Sequence, residues 1–287
     1  MRISIRAALA SAAALLAAAA PAQVPAQPIR ASKIILVGDS TTAVIGGWGP
    51  SFCAFHVTSN AACVNLGHGG RSSGSYRAEG SWDIALSEMQ PAGYADIWVL
   101  IQFGHNDQPG KPGRSTDLQT EFPANLRRYV AEARAIGAKP VLLTPLTRRQ
   151  FSAGTLTNDL EPWAEAVRRV AAETGTPLVD LNRLSVAAVQ AMGPSLAARF
   201  AQAAPSPEVA AAALTGTTVP ASTGAAPAAA GTSAPAAQDN AAAEPLGQAR
   251  LAFDYTHLGR VGADFFAAMV AQEAARQAPA MRRLLVP

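Results

Sequence analysis

Two short stretches far apart in the chain carry the side chains that catalysis by a nucleophilic serine requires. Gly38-Asp39-Ser40-Thr41 offers a hydroxyl, and Asp254-Tyr255-Thr256-His257 sets a carboxylate and an imidazole three residues apart. A serine hydroxyl is a weak nucleophile until a base takes its proton. The base in turn needs an acid that fixes its tautomer and stabilises the imidazolium. Asp254 and His257 can supply both from one loop. Gly-Asp-Ser is also an ordinary turn, and Asp254 or Thr256 can cap a helix that starts just after them; the structural and chemical roles are compatible.

Acyl transfer further needs donors aimed where negative charge develops. Asn106, within Gly104-His105-Asn106-Asp107, brings a side-chain amide. The stretch Asn65 to Ser72 contains Gly67, Gly69 and Gly70, where a backbone N–H can approach a ligand closely. The N–H groups of Ser40 and Gly70 and the Asn106 amide make three candidate donors, although Gly70 and Asn106 also read as turn residues. Arg71, Arg148 and Arg149 carry guanidinium forks that match a carboxylate, as on an acidic sugar. Surface charges or buried ion pairs are the alternative for each. His105 is placed with these substrate-side residues or as a residue shaping the Asn106 loop, while His56 and His68 read as local hydrogen-bonding residues.

These residues need a scaffold. Short apolar runs predict strands at Lys33–Val37, Ala61–Leu66, Asp96–Phe103, Pro140–Leu143 and Pro177–Val179. Helical patterns lie between them at Trp82–Met89, Leu118–Ile136 and Glu161–Thr174, with Gly137 and Gly175 as stops, and a last helix runs over Arg260–Arg276. Alternation of this kind predicts a parallel sheet covered on both faces, with ligands bound beyond the C-terminal ends of its strands. The Ser40, Gly70 and Asn106 blocks follow the first, second and third of those strands.

In this order the blocks resemble the SGNH (GDSL) hydrolase superfamily, named for its Ser, Gly, Asn and His. Within it the match is nearest to rhamnogalacturonan acetylesterases, at Gly38 to Thr41, Asn65 to Ser72, Ser75-Tyr76, Glu79-Gly80, Phe103 to Asp107 and Asp254 to His257. Pro145 to Phe151 resembles bacterial members. The resemblance implies an α/β fold, a flavodoxin-like three-layer α/β/α sandwich with a mostly parallel five-stranded sheet. It implies Ser40 as nucleophile, Gly70 and Asn106 as oxyanion donors, and His257 with Asp254 as base and acid. It also implies removal of O-acetyl groups from an acetylated plant cell-wall polysaccharide such as pectin. A lipolytic or thioester-cleaving relative and a non-catalytic carbohydrate-binding relative are the alternatives. Gly-x-Ser-x-Gly, the elbow of a different hydrolase fold, is absent around Ser40.

The ends and the composition set the context. Arg2 and Arg6 precede an apolar run from Ala7 to Ala20, and Ala20-Pro21-Ala22 is a small-x-small site, so residues 1–22 read as a signal peptide. That leaves 23–287 as one hydrolase domain in a periplasmic or secreted protein, with no membrane insertion after cleavage. Loss of those two arginines takes the formal net charge from +3 to +1, which does not point to nucleic acid. Cys53 and Cys63 can close a disulfide in that compartment, two buried thiols being the alternative. No spacing of His, Cys or carboxylates calls for a metal, and no cofactor is implied. Residues 203–249 are rich in Ala, Pro, Thr, Ser and Gly and hold no aromatic residue, so a disordered insertion is expected there.

Overall fold

A computed structural model describes residues 30–221 and 251–287. The expected signal peptide and the expected insertion beyond residue 221 lie outside the described residues.

Five strands form the main sheet: β1 Ser32–Gly38, β2 Ala61–Asn65, β3 Ile97–Gln102, β4 Lys139–Leu143 and, past two short strands given below, β7 Leu178–Val179. Their order is β2-β1-β3-β4-β7 and every pairing is parallel. Parallel pairs need crossovers, and helices supply them: α1 Gly49–Phe55, α2 Ser75–Ala78, α3 Ser81–Met89, α4 Glu121–Ala135 and α5 Glu161–Thr174; α6 Leu181–Ala197 and, at the end of the chain, α8 Arg260–Gln277 follow the last strand.

All of β1 is buried, as the apolar run Ile34 to Val37 requires of a central strand. Successive side chains point to opposite faces and build two cores. Ile34, Leu36, Leu100, Val141 and Leu143 pack with Phe52 of α1, Val189 of α6 and Phe266 and Val270 of α8. Ile35, Val37, Val99, Ile101 and Leu142 pack with Trp82 of α3, Phe122 and Tyr129 of α4 and Trp163 of α5. Each such side chain stabilises the fold by roughly 1.5–3 kcal/mol when fully buried. The result is the three-layer sandwich that the strand–helix alternation implies.

Two local features differ from the sequence-based expectation. Helix α4 begins at Glu121 rather than Leu118, because the Asp117 carboxylate accepts the N–H groups of Gln119 and Thr120 and holds 118–120 as a turn. Part of the expected disordered insertion is ordered, up to residue 221. Ser206 Oγ accepts the Val209 N–H, Pro207 starts helix α7 (Pro207–Leu214), and Val209 and Ala213 are buried. The Thr218 and Thr217 hydroxyls then accept N–H groups of Phe151 and Ala153, tying the segment to a hairpin of β5 Phe151–Ser152 and β6 Thr155–Leu156. A short helix needs only small apolar contacts and one cap, which a count of large apolar residues does not register.

A disulfide joins Cys53 of α1 to Cys63 of β2, with Cα atoms 5.4 Å apart. Among the described residues, no helix is long and apolar enough to cross a membrane.

Candidate active site

The site is built at the C-terminal ends of β1, β2 and β3, where loops replace the ladder. Residue 38 must be glycine, since a Cβ there would meet Thr42 Oγ1 at 2.6 Å and the Gln102 carbonyl at 2.7 Å. The next residues fold into a turn pinned from several sides. Asp39 Oδ1 accepts the Thr41 N–H at 2.8 Å and its hydroxyl at 2.7 Å. Gln102 Oε1, at the end of β3, accepts the Thr42 hydroxyl and the Trp48 indole N–H, both at 2.8 Å. Asn65, at the end of β2, donates to the Thr42 carbonyl at 2.9 Å. All these side chains but Asn65 are fully buried. The turn bearing Ser40 is therefore a rigid product of three adjacent strand ends.

His257 and Asp254 arrive from the other end of the chain. Ser40 Oγ lies 2.9 Å from His257 Nε2, and His257 Nδ1 lies 2.7 Å from Asp254 Oδ2. The partners assign the tautomer: Nδ1 carries the proton toward the carboxylate, leaving Nε2 to accept from the serine. Asp254 Oδ1 accepts the N–H groups of Thr256 at 2.7 Å and His257 at 2.6 Å, so one carboxylate both shapes the loop and orients the ring. Helix α8 starts later, at Arg260, without a side-chain cap from this loop. Burial opposes ionisation of Asp254, but His257 and the two N–H donors outweigh it and hold the carboxyl down at about 2.

Gly70 sits at φ +76°, in the left-handed region that favours glycine. The N–H groups of Ser40 and Gly70 meet no acceptor among the described residues, leaving both open to a ligand. The Asn106 amide donates to the Arg71 carbonyl at 3.1 Å, which fixes the β3 loop against the β2 loop. Behind it, Asp107 accepts the Ser73 N–H and hydroxyl and the Thr116 hydroxyl. Burial pushes the Asp107 carboxyl up to about 6 despite these donors.

Three of the four residues expected to touch substrate do other work. Arg149 is buried. Its guanidinium donates to the carbonyls of Thr256 at 3.1 Å, Asp254 at 2.9 Å and His257 at 2.8 Å. It clamps the Asp–His loop, and burial pulls its pKa down to about 10. Arg71 is committed to both Glu79 oxygens and to the Gly69 carbonyl, bracing the loop that ends in Gly70. His105 is buried with Nδ1 3.3 Å from Asp39 Oδ2, a close approach without hydrogen-bond alignment. Burial lowers its pKa against the pull of Asp39. Arg148 borders a cavity of about 530 Å³ beside the Asp254 loop, lined also by Gln108, Lys111 and Asp159. Gln102, Asp39 and the clamping role of Arg149 were not read from the sequence. Their signal is tertiary, apart from the position of Asp39 beside Ser40.

A parallel sheet that presents a serine, a histidine and a carboxylate in hydrogen-bonded series is the arrangement an esterase of the serine type requires. The profile of the GDSL-like Lipase/Acylhydrolase family matches residues 36–194. The chain belongs to that family and is a carboxylic ester hydrolase. The matched span includes Ser40, Gly70 and Asn106 and ends before Asp254 and His257. The chain is similar to "Probable rhamnogalacturonan acetylesterase YesY" of Bacillus subtilis, 36% identical over 164 residues that cover 55% of this chain and 73% of the relative. It is also similar to "Rhamnogalacturonan acetylesterase RhgT" of the same organism, 31% identical over 176 residues covering 58% and 72%. Among solved structures, the Bacillus subtilis protein YXIM superposes with a TM-score of 0.60 at 22% identity, over 88% of this chain and 58% of that one. The acetyl xylan esterase AlAXEase gives a TM-score of 0.50 at 17% identity, covering 84% and 98%. At those identities the two structures define the shared fold.

Proposed function

We propose that this protein removes O-acetyl groups from pectic polysaccharide, rhamnogalacturonan foremost, through an acyl-enzyme on Ser40. The observation that carries the mechanism is the series Ser40 Oγ to His257 Nε2 at 2.9 Å and His257 Nδ1 to Asp254 at 2.7 Å. His257 takes the Ser40 proton as the hydroxyl oxygen attacks the acetyl carbonyl. The oxyanion is held by the N–H groups of Ser40 and Gly70 and by the Asn106 amide, which turns from the Arg71 carbonyl. Collapse breaks the ester bond, and His257 gives its proton to the departing sugar hydroxyl. Water, deprotonated by His257, then releases acetate and restores Ser40.

The substrate class rests on the two relatives named as rhamnogalacturonan acetylesterases. Export to the periplasm or beyond rests on the N-terminal residues Arg2 to Ala22, and the Cys53–Cys63 disulfide is in keeping with an oxidising compartment. Acetate release from acetylated rhamnogalacturonan and from acetylated xylan, measured for the native protein and Ser40→Ala, tests the proposal. Release from rhamnogalacturonan well above xylan, abolished in the variant, is the expected result. Preference for xylan overturns the substrate, and turnover by Ser40→Ala overturns the mechanism.

A further inference from the structure

The nucleophile and the side-chain oxyanion donor are each preceded by a buried titratable residue. Asp39 comes directly before Ser40, and His105 directly before Asn106. The two leave neighbouring parallel strands, β1 and β3, whose last paired residues are Gly38 and Gln102. Beyond that pair the ladder ends. The distance between the Ser40 N–H and the Asn106 amide then depends on contacts between the two loops.

Across the gap, His105 Nδ1 stands 3.3 Å from Asp39 Oδ2. Asp39 Oδ2 and both ring nitrogens of His105 are buried and hydrogen-bonded to nothing else among the described residues. Burying polar groups unsatisfied is unfavourable, so each is the remaining partner of the other, and a turn of the ring brings Nδ1 into line. The rest of both residues is committed. Asp39 Oδ1 accepts the Thr41 N–H and hydroxyl, and the Asp39 carbonyl accepts the N–H groups of Thr42 and Ala43. The His105 carbonyl accepts the Lys111 ammonium. A shift of either side chain is thus passed to backbone that adjoins a reacting group. Burial lowers the His105 pKa against the pull of Asp39, which favours the neutral ring. Beside a carboxylate, that ring carries its proton on Nδ1.

We infer that Asp39 and His105 are a positioning pair, in which a hydrogen bond from Nδ1 to Oδ2 fixes the span between the nucleophile turn and the oxyanion loop. The pair sets the Asn106 amide relative to Ser40, and neither member touches substrate. The inference rests on the acyl-enzyme reading, with Ser40 attacking and Asn106 holding the oxyanion. An error in the span is felt where charge develops in the transition state, so it lowers kcat rather than substrate binding.

The test uses the different places of the two ring nitrogens. His105→Asn sets an amide N–H near the position of Nδ1, His105→Gln sets one near the position of Nε2, and His105→Phe removes both. Hydrolysis of an aryl acetate is measured well below the melting point of each variant. In His105→Gln and His105→Phe, kcat should fall about ten- to a hundredfold with KM near native, while His105→Asn should stay within about threefold of native. Equal losses in His105→Asn and His105→Gln overturn the pairing, and that comparison holds even where His105→Phe does not fold. A general loosening of the fold would multiply with any other defect. In an Asn106→Ala background, His105→Gln should add less than about threefold, because the donor that it places is gone. Repetition of the full loss there overturns action through Asn106. Native activity in Asn106→Ala contradicts the mechanism and the pair together, whereas the expected Asn106→Ala loss with silent His105 variants contradicts the pair alone.

Discussion

Replacing Arg149 by Met removes the clamp on the Asp254–His257 loop while keeping a side chain of similar length. The guanidinium donates to three backbone carbonyls of that loop, those of Asp254, Thr256 and His257. Hydrogen bonds from a charged group contribute about 1.5–3 kcal/mol each, so the three together stabilise by roughly 5–9 kcal/mol before costs. Burial of the charge opposes this. A pKa brought from 12.5 to about 10 corresponds to about 3 kcal/mol of lost solvation at about 1.4 kcal/mol per unit. The net loss for Arg149→Met is therefore about 2–6 kcal/mol, in line with the removal of one side of a buried charged contact. In a chain of this size, that lowers the melting temperature by roughly 5–15 °C.

Activity should fall further than stability alone requires. The freed carbonyls belong to the residues that hold the base, and a displacement of about 1 Å in catalytic geometry can cost about a hundredfold in rate. Aryl acetate hydrolysis at a temperature well below the melting point of the variant isolates that effect. The expected result is a fall in kcat of about ten- to a hundredfold with a near-native KM, and partial recovery in Arg149→Lys, whose ammonium reaches fewer carbonyls. A variant that melts within about 2 °C of the native protein and keeps its kcat within about twofold refutes the clamp.

Other perturbations give distinct signatures. Asn106→Ala should lower kcat on an aryl acetate by about 10²–10³ with little change in KM, the usual loss for one oxyanion donor; a loss under about fivefold removes Asn106 from that role. Reduction of Cys53–Cys63, which closes a loop of sequence separation 10, should lower unfolding free energy by up to about 3 kcal/mol in urea, and an unchanged midpoint contradicts it. Asp254, held down at about 2, contributes stability that is complete above its ordinary value near 3.8 and is lost as pH falls toward 2; urea midpoints of Asp254→Asn should lack that acid limb. Asp107, raised to about 6, acts with the opposite sign, contributing most below 3.8 and losing this as pH rises through 6. Asp107→Asn should therefore gain about 2–3 kcal/mol relative to the native protein between about pH 4 and pH 7, and parallel pH profiles would rule this out.

The strands and the reactive side chains were legible because their signals are local. An apolar run such as Ile34 to Val37 has few places to go except the middle of a parallel sheet. Ser40, Asn106 and the Asp254–His257 pair combine a chemical type with a position at a strand end or before the last helix. The substrate-side arginines were not separable from sequence. Arg148 and Arg149 are neighbours, yet one borders a cavity and the other is buried against a loop more than a hundred residues away. Which way a side chain faces after a strand depends on where the rest of the chain closes. The stretch 203–221 misled for a related reason: its order comes from caps and hydroxyl contacts to β5, with the Tyr255 hydroxyl donating to the Val219 carbonyl. Composition counts apolar area and is blind to such anchors.

The central claim is that Ser40 is the nucleophile, activated through His257. Treatment with a serine-directed phosphonate, followed by peptide mass mapping, tests it most directly. The account predicts one adduct per chain, on Ser40, formed in step with loss of aryl acetate hydrolysis and suppressed in folded His257→Ala. An adduct on another residue that tracks the loss of activity, or full activity with Ser40 labelled, contradicts it.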